Sequence, residues 1–415
     1  MTSSSVSTAE PPSEPPLGGD AVDETSRGLR RRRRWLWIGG GLASLAVIVG
    51  LLFIPTPYYL FQPGSVRPAE TRIEVEGAPS YDTDGNVLFT TVFVDQASVA
   101  LLVRGWLDDA VDVRSERDVY GPEGKDASRQ ANQQRMDMSK LVATKVALQY
   151  LGYPAEFTGK GAKVLGVNAD GGSVGKLRVG DVIVDVAGHP IALPSDIQAA
   201  LADSAPGDVV EVTVHRDGGS ANPGSEGEGR GSSEPETVTE SITLGSAPVA
   251  TPGSTTTSIP VDQPGADSAS ATTVSSAPAV RPVLGISVDP ADPSVESPVK
   301  VTVDSGDVTG PSAGLAWALA VVDRMTPESL TDGKDVAVTG EILADGSVGE
   351  IGGIVQKVAA VKRAGVSTFL YPAATPKDQQ AKMRAVAGDA VRLVPVASLA
   401  EAVEALHPGG VRQPD

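Results

Sequence analysis

Two residues stand in frames that suit acyl-transfer chemistry, a serine and a lysine. Ser312 lies in Gly310-Pro311-Ser312-Ala313-Gly314, where small neighbours leave room for a substrate backbone. Pro311 to Asp323 reads as a helix dense in alanine and leucine, which puts Ser312 at a helix N-terminus. Unpaired N–H groups and the positive end of the dipole collect there, and such groups stabilise an oxyanion. A serine before a helix also serves simply as a cap. The lysine is what favours chemistry. Gly352-Gly353 precedes a helix over Ile354 to Ala364, and Lys357 falls on the stripe of Ile354, Ala360, Val361 and Ala364. Gln356 and Arg363 face away, and Lys362 lies at the shoulder. An ordinary lysine, near 10.4, stays protonated at neutral pH, but burial depresses it, and a drop of about three units corresponds to roughly 4 kcal/mol. The neutral amine is then a general base for a serine hydroxyl.

The composition leaves few rivals for this chemistry. The chain has 415 residues, room for two or three domains, and it has no cysteine. That excludes disulfides, thiolate metal sites and a cysteine nucleophile. The three histidines, His189, His215 and His407, are far apart, so no metal or other cofactor is implied. Gly121 to Lys125 lacks the spacing of a phosphate loop, and Asp82, Asp84 and Asn86 fit a turn better than a calcium loop. The formal charge of −18 is the wrong sign for a nucleic-acid-binding domain.

Arg30 to Arg34 form a basic run, and Trp35 to Ile54 follow without a charge. That stretch is long enough to cross a hydrocarbon core of about 30 Å. Tryptophans at its start and Tyr58 and Tyr59 past its end suit the two interfaces, and the arginines belong on the cytoplasmic side. The expectation is a single-pass anchor over 35–54 in the lipid bilayer of the cell membrane. Residues 1–34 form a disordered cytoplasmic tail, and the later domains lie outside. The exit through Pro55 and Pro57 is a poor context for signal cleavage.

Beyond the anchor the pattern is α+β. Residues 57–152 read as a region of their own, with a strand over Val87 to Val94 and helical spacing over Val99 to Leu107 and Met136 to Leu151. Residues 154–244 hold Gly175-Lys176-Leu177-Arg178-Val179-Gly180-Asp181, a helix over Ser195 to Asp203, and a hairpin of Val209 to His215 with Thr237 to Leu244. Asp217 to Glu236 reads as a floppy hairpin loop and 246–280 as a flexible linker between independently folded units. Strands over 283–288 and 299–304 then open a last domain over 282–408.

Residues 154–244 resemble a PDZ domain, which implies a groove that adds an extended peptide to a sheet edge. Gly159, Lys160 and Gly161 are the candidate carboxylate-binding loop. The Ser312 and Lys357 frames, with Val338-Thr339-Gly340-Glu341 between them, resemble the Lon-type proteolytic domain, of ribosomal-protein-S5-domain-2-like fold. The spacing is 27 residues from Ser312 to Thr339 and 18 from Thr339 to Lys357. The resemblance implies that Ser312 and Lys357 form a catalytic dyad and that Thr339 orients the lysine, supported by Gly310, Ala313 and Gly314. One departure is that Val308-Thr309 precede Gly310 where the family often carries an acid, and Asp307 is shifted. The whole arrangement resembles membrane-anchored PDZ–Lon-type proteins of Gram-positive, actinobacterial bacteria. It implies an ATP-independent serine endopeptidase acting on flexible, membrane-proximal or unfolded polypeptides, with no metal and no nucleic acid. The alternative is a non-catalytic surface scaffold that binds peptides through a degenerate protease domain. The residues specify no oligomeric state.

Overall fold

The computed structural model describes residues 49–82, 84–108, 110–216, 236–248 and 280–411. The anchor expected over 35–54 therefore lies outside the described residues except at 49–54. Among the described residues no helix is long and apolar enough to cross a membrane. The expected tail 1–34 and most of 217–236 and 246–280 also lie outside them.

Strands β1 (Pro55–Pro68), β2 (Ile73–Glu76), β3 (Asn86–Ser98) and β4 (Asp112–Ser115) come first, with helices α1 (Val99–Trp106), α2 (Glu116–Tyr120) and α3 (Gly124–Tyr150). They divide between two compact units, and β1 and β3 run through both. The smaller unit holds 49–62 and 93–124. In it β1 pairs antiparallel with β4, Leu60 opposite Val113, and Tyr59 meets Tyr120 edge to face at 5.0 Å. Helix α1 approaches closely through Gly105, where a Cβ would sit 2.6 Å from Leu60 Cδ2.

The larger unit holds everything else described. A PDZ-like body begins after β5 (Glu156–Thr158), with β6 (Ala162–Val167), β7 (Val182–Val186), β8 (His189–Pro190) and α4 (Pro194–Ala200). Strands β9 (Val209–Arg216), β10 (Glu236–Thr243), β11 (Gly245–Pro248), β12 (Val280–Val283) and β13 (Ile286–Pro290) complete it. Its sheet runs β10-β9-β7-β6-β13, and the hairpin pairs Thr237 with His215. Ile183, Val212, Val214 and Ile242 fill its core from alternate strand positions. Arg216 grips the buried Asp181 with Nε and Nη2 at 2.8 and 2.7 Å, a fork-on-carboxylate pair that ties two neighbouring strands.

Strands β14 (Ser294–Glu296) and β15 (Lys300–Val303) lead out, followed by a 3₁₀ turn (Pro311–Ala313) and α5 (Gly314–Met325). Then come β16 (Asp335–Val338), β17 (Glu341–Ile342), β18 (Val348–Gly349), α6 (Ile354–Arg363), β19 (Thr368–Pro372), α7 (Lys377–Ala387), β20 (Arg392–Val396) and α8 (Leu399–Leu406). The second sheet runs β20-β19-β16-β3-β1, and β20, β19, β16 and β3 are parallel neighbours. Period two sends alternate residues to opposite cores. Val87, Phe89, Val336 and Val338 meet α5 and α3, while Leu88 and Ala337 meet α6 and α7. With helices on both faces, the parallel strands read as unbroken apolar runs.

This arrangement corrects the expected domain limits. Residues 57–152 are not one region: 57–62 and 93–124 belong to the smaller unit, while β3 lies beside β16 and Ala143, Val146 and Ala147 of α3 share a core with Trp317. The Phe89 and Trp317 rings lie 4.8 Å apart. The PDZ-like body is an insertion, since β5 before it pairs with β14 after it and β2 pairs with β15. Residues 246–280 join no two independent units either: β11 and β12 pair, so the ends of that segment meet. Local periodicity shows each element but not which distant strand it joins.

Glu70, in a 3₁₀ turn over Glu70–Arg72, is buried behind this core and accepts the Val87 N–H, and its second oxygen has no hydrogen-bond partner. Burial pushes its carboxyl from 4.5 up to about 7. Between those values the folded chain holds a proton that the unfolded chain lacks, so stability falls as pH rises across that window. Glu70→Gln should remove that decline, a difference on the order of 3 kcal/mol by pH 8, measured by urea unfolding at several pH values. A second expectation follows from the insertion. A fragment of residues 280–411 lacks β3 and α3 and should show no cooperative unfolding. The full chain cut at a protease site engineered within 249–279 should still elute as one particle in gel filtration.

Candidate active site

Ser312 is set by backbone chemistry on three sides. Gly310 takes φ 85°, a left-handed conformation that glycine adopts without strain, and its N–H donates to Asn132 O at 3.0 Å. Pro311 follows at the first position of the turn, where its missing N–H costs nothing. Ser139 Oγ donates to Pro311 O at 3.1 Å, and a Cβ on Gly314 would lie 2.6 Å from that same oxygen. Helix α3 therefore clamps the serine loop. On the other side Gly340 N–H and Thr339 Oγ1 both donate to Ser312 O, each at 3.0 Å.

Lys357 enters from the first turn of α6. Gly353, at φ 69°, turns the chain into that helix, and Lys357 N–H donates to Gly353 O at 3.0 Å. The side chain is 2% exposed. Its Nζ lies 2.7 Å from Ser312 Oγ and donates to Thr339 Oγ1 at 2.9 Å. Burial pulls the amine from 10.5 down to about 7. The hydroxyl proton of Thr339 is committed to Ser312 O, so its oxygen can only accept from the amine. A neutral amine then spends one N–H on Thr339 and can turn its lone pair on the Ser312 hydroxyl.

Ser312, Thr339 and Lys357, far apart in sequence, thus meet within hydrogen-bond distance, with Gly310, Ala313 and Gly314 packed around the serine. The amides of Gly314 and Leu315 already donate to Pro311 O and Gly340 O. Gln356 does not face away as expected but is buried. The end of β3 covers that side of α6, with Val92 Cγ2 2.8 Å from where a Gly353 Cβ would be. Ala364, placed on the apolar stripe, is exposed where α6 ends. Lys362 donates to Val386 O at 2.8 Å at the surface, and Asp307 pairs with Arg67 at 2.9 Å. His407 sits between Glu328 and Asp332.

Gly159, Lys160 and Gly161 do not form an open carboxylate loop. Lys160 and Gly161 donate their N–H groups to Ala291 O and Ala192 O, at 2.8 and 3.2 Å. A Cβ on Gly159 would also lie 2.7 Å from Ala192 O. Sequence reasoning passed over Asn132, Ser139 and Arg135 on α3. Helical spacing revealed the helix only from Met136 onward, so Asn132 and Arg135 fell outside it, and nothing local shows that Ser139 reaches Pro311, 172 residues away. Glu341 completes the surroundings: burial raises its carboxyl, against the pull of the Arg135 charge.

Residues 287–407, which contain all three polar side chains of this cluster, match the Lon protease (S16) C-terminal proteolytic domain. Residues 135–222 match the PDZ domain. The chain contains a Lon-type proteolytic domain and a PDZ domain. A Lon protease of Neorickettsia sennetsu is 39% identical over 94 residues, 23% of this chain and 11% of that protein. Lon protease 1 of Herpetosiphon aurantiacus is 51% identical over 63 residues, 15% of this chain and 8% of that protein. The chain thus spans about a tenth of the length of these curated relatives. Among solved structures, the PDZ domain of an SdrC-like protein from Listeria monocytogenes aligns at 15% identity and a TM-score of 0.18, covering 31% of this chain and 87% of that one.

The buried amine has a measurable signature. Lys357 should react with an acylating reagent with a midpoint near pH 7. Between about 7 and 10.5 the unfolded chain holds the proton that folded Lys357 has lost, so stability climbs with pH there. Below about 7 the full cost of a buried charge remains. Lys357→Met should therefore raise Tm, and by more at pH 6 than at pH 10.

Proposed function

We propose that this protein is a serine endopeptidase in which Ser312 is the nucleophile and Lys357 the general base. The observation that carries this reading is a fully buried lysine amine 2.7 Å from the Ser312 hydroxyl, with Thr339 as the other partner of that amine. Neutral Lys357 takes the hydroxyl proton as Ser312 attacks a peptide carbonyl. The resulting ammonium returns the proton to the leaving amine, and an acyl ester remains on Ser312. Water, deprotonated by the same amine, then releases the acid product. Thr339 is a positioning residue: it fixes the amine and, through the Ser312 carbonyl, the nucleophile's own backbone.

The PDZ domain selects or positions polypeptide substrates in this reading. The groove follows the free edge of β13, the end strand of its sheet, beside α4. Strand β13 is continuous in sequence with β14 and β15, which lead to Ser312. The basic run and the uncharged stretch over 35–54 anchor the chain in the cell membrane, with its N-terminus cytoplasmic and the folded domains outside. Hydrolysis proceeds without ATP, because the sequence of this chain shows no phosphate-binding loop. Its substrates are accordingly flexible or already unfolded polypeptides near the membrane.

Cleavage of an unstructured polypeptide by the purified full chain tests the chemistry. Ser312→Ala and Lys357→Arg should each lower kcat by about 10³-fold or more, because one removes the nucleophile and the other a base that can lose its proton. Lys362→Arg should leave kcat unchanged. Activity of the parent should rise with pH through about 7, the value to which burial lowers Lys357. Glu70 titrates near the same value, so the profile is best measured in a Glu70→Gln background. Turnover that survives Lys357→Arg would place the base elsewhere, and a folded but inactive parent would favour a peptide-binding scaffold.

A further inference from the structure

The smaller unit exposes apolar side chains that neither the proteolytic chemistry nor the PDZ domain uses. Helix α1 is the clearest case. Its inner side packs through Gly105 against Leu60, Val111 and Val113. Its outer side repeats Val99, Val103 and Trp106 at the i, i+4, i+7 spacing that ordinarily faces a core, and all three are exposed. Trp106 is 74% exposed and Leu107, which follows, 84%. Arg104 is the one charged residue in the helix. In the same unit Phe93 is exposed on β3, on the strand face that the Gln62–Asp95 hydrogen bond shares with Leu60. A cluster of this kind on a soluble surface marks a contact with something apolar.

We propose that this surface rests in the outer leaflet of the bilayer, a lipid contact additional to the anchor. The inference builds on the membrane-anchor reading, which fixes where the unit must be. The uncharged run ends at Ile54 and β1 begins at Pro55, with no spacer between them. A span that surfaces at Ile54 leaves 55–62 and 93–124 at the headgroup level. Trp106 and Tyr58 suit that level, apolar in body and polar at the tip. Asp95 and Asp108 flank the patch and limit its depth to the interface. The contact is apolar rather than electrostatic, because α1 offers a single cation, so raising the salt concentration should leave it intact.

The absence of cysteine makes the test direct. Full-length protein carrying one introduced cysteine at Ala46, Phe93, Leu107 or Arg117 would be labelled with an environment-sensitive fluorophore and placed in phosphatidylcholine nanodiscs. Labels at Phe93→Cys and Leu107→Cys should lose emission to nitroxide-bearing lipid and be shielded from aqueous iodide. The label at Arg117→Cys, a charged and exposed position, should show the reverse. Ala46→Cys reports the anchor separately. Lipid quenching at 46 with iodide quenching at 107 would overturn the docking proposal while leaving the anchor standing. Quenching by lipid at neither position would overturn both. Shielding at 107 from both quenchers would mean a protein partner or a second copy covers the patch, and the lipid assignment would be wrong. Val103→Glu with Trp106→Glu should return the 107 label to water without affecting the label at 46.

Discussion

Everything at the candidate site depends on one costly placement, the amine of Lys357 sealed away from water beside two hydroxyls. Removing an ammonium from water is unfavourable, and the protein answers by lowering its proton affinity to about 7 rather than by supplying a carboxylate. A carboxylate partner would hold the proton on and make the lysine useless as a base. Thr339 and Ser312 give the neutral amine hydrogen-bond partners without adding charge. The small glycines and alanines around them let three backbone segments approach closely enough to keep water out.

That seal is built from remote parts of the chain. Helix α3 fixes the serine loop through Asn132 and Ser139, β16 delivers Thr339, and α6 delivers Lys357 beneath the end of β3. The strand β3 that lines up with β16 comes before the PDZ domain in sequence, and the helix that follows Ser312 comes after it. Inserting a domain between these halves leaves the core intact because entry and exit are neighbouring strands, β5 and β14. The PDZ domain is thereby held at both ends, which leaves it less freedom to move than a single tether would.

Glu70 and Lys357 show how the same burial acts in opposite directions on an acid and a base. Each is shifted to about 7, the acid upward and the amine downward, so both favour the neutral form. As pH rises through about 7 the folded molecule loses the protons of both groups, leaving a neutral buried amine and a charged buried carboxylate. The two groups therefore bend stability in opposite directions, Glu70 lowering it as pH rises to about 7 and Lys357 raising it above that value.

The sequence by itself determined the local chemistry. Small residues around Ser312, a lysine on an apolar stripe, and a threonine at a fixed interval were legible because helix periodicity and turn preferences are short-range. The hairpin and the mixture of helices and strands were legible for the same reason. Tertiary structure alone decided which segments share a core. Residues 57–152 read as a region apart because nothing local reports that Val87 and Phe89 pair beside Val336 and Val338. Gly159 to Gly161 read as an open loop because glycine spacing cannot show that their amides are already donating to Ala291 and Ala192. Gln356 read as solvent-facing because a helical wheel sees one helix and not the strand end that covers it. Parallel pairing and burial are non-local, fixed by which surfaces meet after the chain has folded, and the position of a residue in sequence carries no record of that meeting.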